Sequence, residues 1–387
     1  MNKFARQSWI AKNDRKQCGA DVSSARLAGG GSRTTLLTCF YGIVERYYFA
    51  KESREMKILA KAPTRIDLSG GTLDIWPLYL FVGEATTINL AINLYATAKL
   101  EPIPGTKISI VSKDQKATQE AAHYNELKHD SGLGLLTRLI QHFSPEQGFQ
   151  LETDCQAPAG AGLGGSSSLA IAVCGALNEF TGKKYTSEQL IRVARDVEAQ
   201  VLGIPTGTQD YYAAMFGGFN AWHFRVESVE REAYSVSPEE LQERLLLFYS
   251  GQQRSSGMNN WQIIKNRIDG DSNTVEMLQM IKQESDKLHK ALKAEDWGDA
   301  YEAIHNEWMA RKRLAPRITT PEIEELIEFG ITNGSRTGRV CGAGGGGCVV
   351  FVIDNFTRQY LYDLAKEKKY YILDFEIAQE GLTVQTS

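Results

Sequence analysis

Pro158-Ala159-Gly160-Ala161-Gly162-Leu163-Gly164-Gly165-Ser166-Ser167-Ser168 runs without a break into Leu169-Ala170-Ile171-Ala172-Val173. Glycines let a backbone come close to an anion and adopt positive φ. A helix that opens just after them presents free N–H groups and its positive dipole end, which favours phosphate. The serine hydroxyls can add hydrogen bonds or offer oxygen to Mg²⁺. The order of residues is not G-x-x-x-x-G-K-[ST], so the common P-loop is excluded. A flexible Gly/Ser linker is the alternative, but a linker would not pass directly into an apolar helix.

Working outward, 166–180 reads as a helix with Gly182 just past its end. A second helix over 186–201 opens with the capping box Thr186-x-x-Gln189. Strands are predicted at 57–62, twice within 85–100, and at 105–113, 149–153, 217–224 and 245–249. Helices follow at 260–268, 275–294, 297–313 and 321–332. The end reads as a glycine loop entering a strand (339–353), a helix (358–368) and a last strand (370–377). Strands and helices alternate irregularly, which predicts an α+β fold with a boundary near 225–245.

Two further loops carry unusual residues. Cys341-Gly342-Ala343-Gly344-Gly345-Gly346-Gly347-Cys348 enters an apolar strand and contains G-x-G-x-x-G. A dinucleotide fingerprint should follow a strand and open a helix, so a tight turn against another backbone or a phosphate fits better. Ala62-Pro63-Thr64-Arg65-Ile66-Asp67-Leu68-Ser69-Gly70-Gly71-Thr72-Leu73-Asp74 places polar residues inside an apolar stretch, and alone it could be an ordinary turn. Two acids also stand out. Glu198 falls on the helical side shared by Leu190, Ile191, Ala194 and Val201, opposite Arg192, Arg195 and Asp196. A carboxylate there needs a partner, either a metal ion or a salt bridge. Asp210 follows the turn Gly203-Ile204-Pro205-Thr206-Gly207 and is either functional or a helix cap.

The chain has 387 residues, 42% hydrophobic and 23% charged, with a formal charge of −4. These proportions exclude a wholly disordered or collagen-like chain and count against a generic nucleic-acid binder. No apolar run approaches the ~18 residues of a membrane span. The six cysteines form no C-x-x-C pair and the six histidines no H-x-x-x-H or H-x-x-H pair, so spacing gives no support to a structural zinc site. The cysteines read as free thiols of a reducing compartment. Residues 1–55 hold ten Lys/Arg against five Asp/Glu and no sustained apolar period. They read as a poorly ordered basic extension, with Met56 a candidate start and a regulatory or targeting arm the alternative.

The three loops, in this order, resemble the three motifs of the GHMP kinase superfamily over about 56–385, most specifically P-x-x-x-G-L-G-x-S-S at 158–167. The resemblance implies a ribosomal protein S5 domain 2-like N-terminal domain (56–235) and a ferredoxin-like C-terminal domain (236–387). ATP and substrate would lie between them. Within the superfamily the chain looks most like the D-glycero-D-manno-heptose 7-phosphate kinases. Lys61-Ala62-Pro63-Thr64-Arg65, Gln209-Asp210-Tyr211-Tyr212-Ala213-Ala214, Leu245 to Gly251 with Arg254-Ser255-Ser256, and His305 to Lys312 carry that likeness. One departure from that subfamily stands out: Ser69-Gly70-Gly71-Thr72-Leu73-Asp74 replaces G-G-G-T-D, which bears on substrate identity; compared with mevalonate-type kinases, one extra residue separates Gly207 from Asp210.

By matching position, Pro158, Gly160, Gly162, Leu163, Gly164, Gly165, Ser166, Ser167 and Ser168 would bind ATP. Ser166 and Glu198 would hold Mg²⁺. Asp210 would be the catalytic aspartate, kept ionised by Arg65. Gly71, Thr72, Asp74, Gly344, Gly345 and Arg254 would face the substrate, with Arg311, Lys312 and Arg313 as further cations for a substrate phosphate or, alternatively, a solvated helix face. The implied protein is a cytoplasmic ATP-dependent sugar kinase, monomeric or homodimeric, with no nucleic-acid or membrane partner. The alternatives are a kinase of a free sugar such as fucose or galactose, of another polyol or of a mevalonate-type alcohol, and a non-enzymatic sugar sensor.

Overall fold

In the computed structural model, which describes residues 56–129, 132–252 and 260–387, the first sheet is organised by two long strands. Strand β1 (Ile58–Ser69) runs through Pro63, and its pairing with β2 shifts register between Pro63 and Thr64. Proline has no N–H to give a ladder, so an irregularity falls there. Strand β2 (Ala85–Pro102) is one continuous strand where the sequence suggested two. It changes partner along its length. Residues 96–102 pair with β5 (Phe149–Cys155) and residues 85–90 with β6 (Phe219–Phe224). A switch of partner, not a chain break, thus underlies the interrupted pattern.

A short helix, α1 (Leu78–Phe81), lies between β1 and β2, and between β2 and β5 come the strands β3 (Ile108–Ser112) and β4 (Ala117–Ala121) and helix α2 (Gly134–Phe143). Strand β3 runs parallel to β5 and antiparallel to β4. Helix α3 (Gly165–Thr181) lies against this sheet and is buried along most of its length, as its small apolar residues require. Helix α4 (Ser187–Leu202) carries the expected capping box, Gln189 N–H to Thr186 Oγ1 at 3.3 Å and Thr186 N–H to Gln189 Oε1 at 2.8 Å. Helix α5 (Gln209–Phe216) precedes β6, and β7 (Val229–Ala233) closes a hairpin with it.

The second sheet has the order β11-β8-β10-β9, all antiparallel. Its strands are β8 (Leu245–Tyr249), β9 (Ser335–Val340), β10 (Cys348–Ile353) and β11 (Tyr371–Ile372). The accompanying helices are α6 (Pro238–Glu243), α7 (Asn260–Ile268), α8 (Ser272–Lys293), α9 (Trp297–Arg311), α10 (Pro321–Thr332) and α11 (Asn355–Glu367). The fold is the expected mixture of α and β. The strand expected over 370–377 shrinks to two residues, and the chain instead ends in β12 (Thr383–Thr386), which pairs with β1. The end of the 236–387 segment therefore belongs to the first sheet. One apolar cluster joins the sheets, with Ile66, Ile88 and Leu90 sharing a core with Leu245, Leu247, Leu288 and Val350. Burying such side chains at ~25 cal/mol per Å² is what holds sheet to sheet.

Candidate active site

A cavity of about 660 Å³ opens where the 156–165 loop, the first turns of α3 and α5, the end of α4 and residues 72–75 and 342–343 converge. Gly164 caps α3 in the left-handed conformation, φ 74°. A Cβ placed there would stand 3.2 Å from the Asp210 carboxylate. Only glycine satisfies both the backbone and this close approach.

The three serines divide their work. Ser166 is exposed at the cavity. Ser167 is buried and donates to Glu198 Oε2 at 3.1 Å. Ser168, expected at the nucleotide, is also buried and donates to the Pro63 carbonyl at 2.7 Å, tying α3 to β1. Leu163 likewise packs inside, and its carbonyl accepts the Arg65 N–H at 2.9 Å. Pro158, Gly160, Gly162 and Gly165 line the cavity.

Arg65 and Asp210 meet as expected. Arg65 Nε and Nη2 each reach Asp210 Oδ1 at 2.7 Å, and Nη1 donates to the Gly162 carbonyl at 2.5 Å. The arginine is buried, whereas Asp210 keeps a fifth of its side chain exposed to the cavity (3% against 20%). One guanidinium therefore fixes both the glycine loop and the carboxylate, as its rigid fork allows. Burial works against the Arg65 charge, but Asp210 and Asp67 outweigh it and hold its pKa above the ordinary value.

Glu198 does face inward, though Val201, expected on the same inner face, is 40% exposed. Burial pushes the Glu198 pKa up, and the Asp210 charge adds to this. Hydrogen bonds from Tyr211, Ser166 and Ser167 pull it back. Tyr211, which the sequence did not single out as a site residue, donates a short hydrogen bond to Glu198 Oε2. The site thus offers hard oxygen donors, Ser166 Oγ and the Glu198 carboxylate, beside the open end of α3. That donor set fits Mg²⁺.

Asp74 has a different first task from the one expected. Its Oδ2 accepts the N–H groups of Thr208 and Gln209 at 2.6 and 3.0 Å, capping α5 from far away in sequence. Its burial, assisted by the charges of Asp210 and Asp67, pushes its pKa up to about 6 against those two N–H groups. Asp74 and Thr72 both line the cavity. Gly71 sits tightly against Arg311 and Asp67.

Behind this wall lies a buried ion network that no local pattern announced. Glu307 Oε2 meets Arg339 Nη1 at 3.0 Å, and Glu307 Oε1 meets Arg311 Nη1 at 3.4 Å. Asp67 Oδ2 lies 3.5 Å from Arg311 and 3.4 Å from Arg339. Glu307 Oε1 also accepts the Gly70 N–H at 3.1 Å. Arg311 Nη2 donates to the Gly342 carbonyl at 2.8 Å, so the network links the first and third glycine loops. Burial pushes the Glu307 pKa up while Arg339 and Arg311 oppose it.

The third loop corrects two assignments. Gly344 packs on the Ile318 backbone and the Gly345 N–H donates to the Ile318 carbonyl at 2.8 Å, while Gly342 and Ala343 face the cavity. The turn closes on another backbone. Cys348 N–H reaches the Ala161 carbonyl at 2.7 Å, and a Cβ on Gly347 would stand 2.5 Å from the same oxygen. Arg311 is consumed by the network, Lys312 pairs with Glu324 at 3.5 Å and Arg313 is exposed. Arg254 lies outside the described residues, as does the 1–55 segment.

Known proteins resemble this chain in sequence and fold. The GHMP kinases N terminal domain matches residues 131–218, and the GHMP kinases C terminal domain matches residues 288–360. The chain is 29% identical over 334 residues to D-glycero-alpha-D-manno-heptose 7-phosphate kinase of Campylobacter jejuni, spanning 84% of this chain and 98% of that protein. It is 24% identical over 343 residues to L-fucokinase/L-fucose-1-P guanylyltransferase of Bacteroides fragilis, spanning 80% of this chain and 35% of that one. In fold it resembles a D-glycero-D-manno-heptose 1-phosphate kinase from Bacteroides thetaiotaomicron, with TM-score 0.68, 23% identity and coverage of 85% and 98% of the two chains.

Proposed function

The chain belongs to the GHMP kinase family, and we propose that it transfers the γ-phosphoryl group of ATP to D-glycero-D-manno-heptose 7-phosphate, giving the 1,7-bisphosphate. The observation that carries the reading is the Arg65–Asp210 pair, held against the glycine loop in the wall of the cavity. The heptose comes from the relative that this chain matches along most of its length.

Phosphoryl transfer asks chiefly for positioning and neutralised charge. The N–H groups at the start of α3 and the backbone of 160–165 cradle the nucleotide phosphates. Ser166 and Glu198 hold Mg²⁺, which when bound neutralises phosphate charge. Tyr211 and Ser167 fix the Glu198 carboxylate for that task. Asp210 takes the proton of the attacking hydroxyl, and Arg65 keeps its oxygen aimed. Asp74, Thr72, Gly71 and the 342–343 turn form the sugar side, with Gly344 and Gly345 supporting that turn from behind. Residues 56–235 make up the nucleotide-binding part and 236–387 the partner part, with β12 returning across the divide. The thiols of Cys155, Cys174 and Cys341, which form no disulfide among the described residues, suit a cytoplasmic setting.

A second reading has one observation in its favour. Among the described residues lining the cavity, the guanidinium groups are Arg65 and Arg311, and both are engaged by carboxylates. A neutral sugar such as fucose or galactose needs no free cation. ADP release with Mg·ATP separates the two. Turnover with the heptose 7-phosphate and not with free hexoses or fucose supports the first reading; turnover with a free sugar alone replaces it by the second.

A further inference from the structure

The histidines carry no metal-binding spacing along the chain, yet folding brings two of them to one carboxylate. His223 lies on β6, Glu232 on β7 and His289 on α8. In the β6–β7 hairpin Ala221 faces Glu232 and His223 faces Glu230, so His223 and Glu232 are diagonal neighbours on one face. Helix α8 delivers His289 from the other side. The three ligand atoms lie within 4.8 Å of one another. Nε2 of each histidine stands 3.4 Å from the same atom, Glu232 Oε2.

That separation is long for a hydrogen bond, whose N···O distance is ~2.7–3.2 Å. It is close to what tetrahedral zinc requires. With metal–ligand bonds of about 2.0–2.1 Å, neighbouring ligand atoms stand roughly 3.3 Å apart. The outer partners are also in place. His223 Nδ1 is 3.0 Å from Thr86 Oγ1, and His289 Nδ1 is 2.8 Å from the Tyr234 hydroxyl. A ring that donates its Nδ1 proton to that hydroxyl leaves Nε2, the atom facing Glu232, free to bind a metal, the arrangement that orients metal-bound histidines. Thr86 passes its own proton on to Asp286 Oδ1 at 3.4 Å. Lys293 Nζ holds the other Glu232 oxygen at 2.7 Å and leaves Oε2 to the histidines. The three side chains are 16–39% exposed, so a water can complete the coordination.

We propose that His223, Glu232 and His289 form a Zn²⁺ site, separate from the nucleotide cavity, that clamps the β6–β7 hairpin to α8. The clamp has a mechanical consequence. Ser285 on α8 meets Ser69 at 2.7 Å, directly before the Gly70-Gly71 turn of the sugar side. Fixing α8 to the hairpin therefore steadies the backing of that turn.

The test uses the full chain, stripped of metal by chelation and titrated with Zn²⁺ against a chromophoric chelator. One equivalent is expected to bind in the wild type and to raise the melting temperature. His223→Gln and His289→Gln should each weaken that equivalent at least about a hundredfold, beyond the ~10–100-fold typical of outer-partner losses. His142→Ala, on the remote helix α2, should bind as the wild type does. Absence of stoichiometric zinc in the wild type overturns the proposal. So does undiminished zinc in both glutamine variants, which would place the ion on thiols or on the nucleotide-site acids. Should a histidine variant fail to fold, Co²⁺ in the isosteric Glu232→Gln decides. The strong visible absorption of four-coordinate cobalt is expected in the wild type and lost in this variant, and its absence from the wild type or its persistence in the variant refutes the site.

Discussion

Replacing Asp74 by Asn should make the protein's stability less sensitive to pH, and the structure sets the size of the change. Asp74 is buried, caps α5 through Oδ2 and has its pKa pushed from 3.8 to about 6. A carboxyl whose folded pKa lies above its unfolded one holds its proton more tightly when folded. Its stabilising contribution is fully present below about 3.8 and is lost as pH rises through about 6. Between about pH 4.5 and 7.5 the loss integrates to about 2 kcal/mol. Asparagine keeps an oxygen acceptor for the Thr208 and Gln209 N–H groups but carries no charge to desolvate. Glu198 and Glu307, whose pKa values are also raised, titrate in both proteins and cancel in the difference. Urea midpoints of wild type and Asp74→Asn, measured at the two pH values, give the quantity directly. The variant should gain about 2 kcal/mol relative to wild type on going from the lower to the higher pH. Parallel pH dependences would refute the argument that Asp74 carries a buried charge at neutral pH.

Gly347→Ala should part the third loop from the nucleotide loop. Its φ is 86° and the added carbon would stand 2.5 Å from the Ala161 carbonyl, so a loss of at least ~1–2 kcal/mol is expected, with a raised KM for ATP. An unchanged melting temperature and KM would mean that the loops do not need this contact. Arg339→Met leaves Glu307 and Asp67 short of a buried partner and should cost about 3–5 kcal/mol in denaturant unfolding, with part recovered in the double variant that also carries Glu307→Gln. No recovery would show that the two side chains do not act as a pair.

Much of the site could be read along the chain because it is made of contiguous loops. The cavity-lining glycine loop up to Ser167 and Glu198 on an inner helical face stand where local pattern placed them, and Arg65 meets Asp210 as the family resemblance implied. What escaped depends on distant partners. Helix α5 was hidden because its cap is Asp74, 134 residues earlier, and its own start shows only a Gly/Pro turn. The Asp67–Glu307–Arg311–Arg339 network draws on β1, α9 and β9, and no single segment betrays it. Strand β12 was missed for the same reason, since its pairing is with β1 at the other end of the described chain. Ser168 looked like a phosphate ligand because adjacent serines share a sequence signature. On a helix they point in different directions, and its hydroxyl turns to Pro63.

The central claim is that Asp210, aimed by Arg65, handles the proton of a sugar hydroxyl during transfer from ATP. It is tested most directly by following ³¹P resonances in reactions of the full chain with Mg·ATP and D-glycero-D-manno-heptose 7-phosphate. The wild type should consume ATP and build a second phosphoryl resonance on the heptose. Asp210→Asn, with Arg65 still in place, should do so ~100-fold or more slowly while binding ATP normally. A variant that phosphorylates the heptose at the wild-type rate would contradict the account.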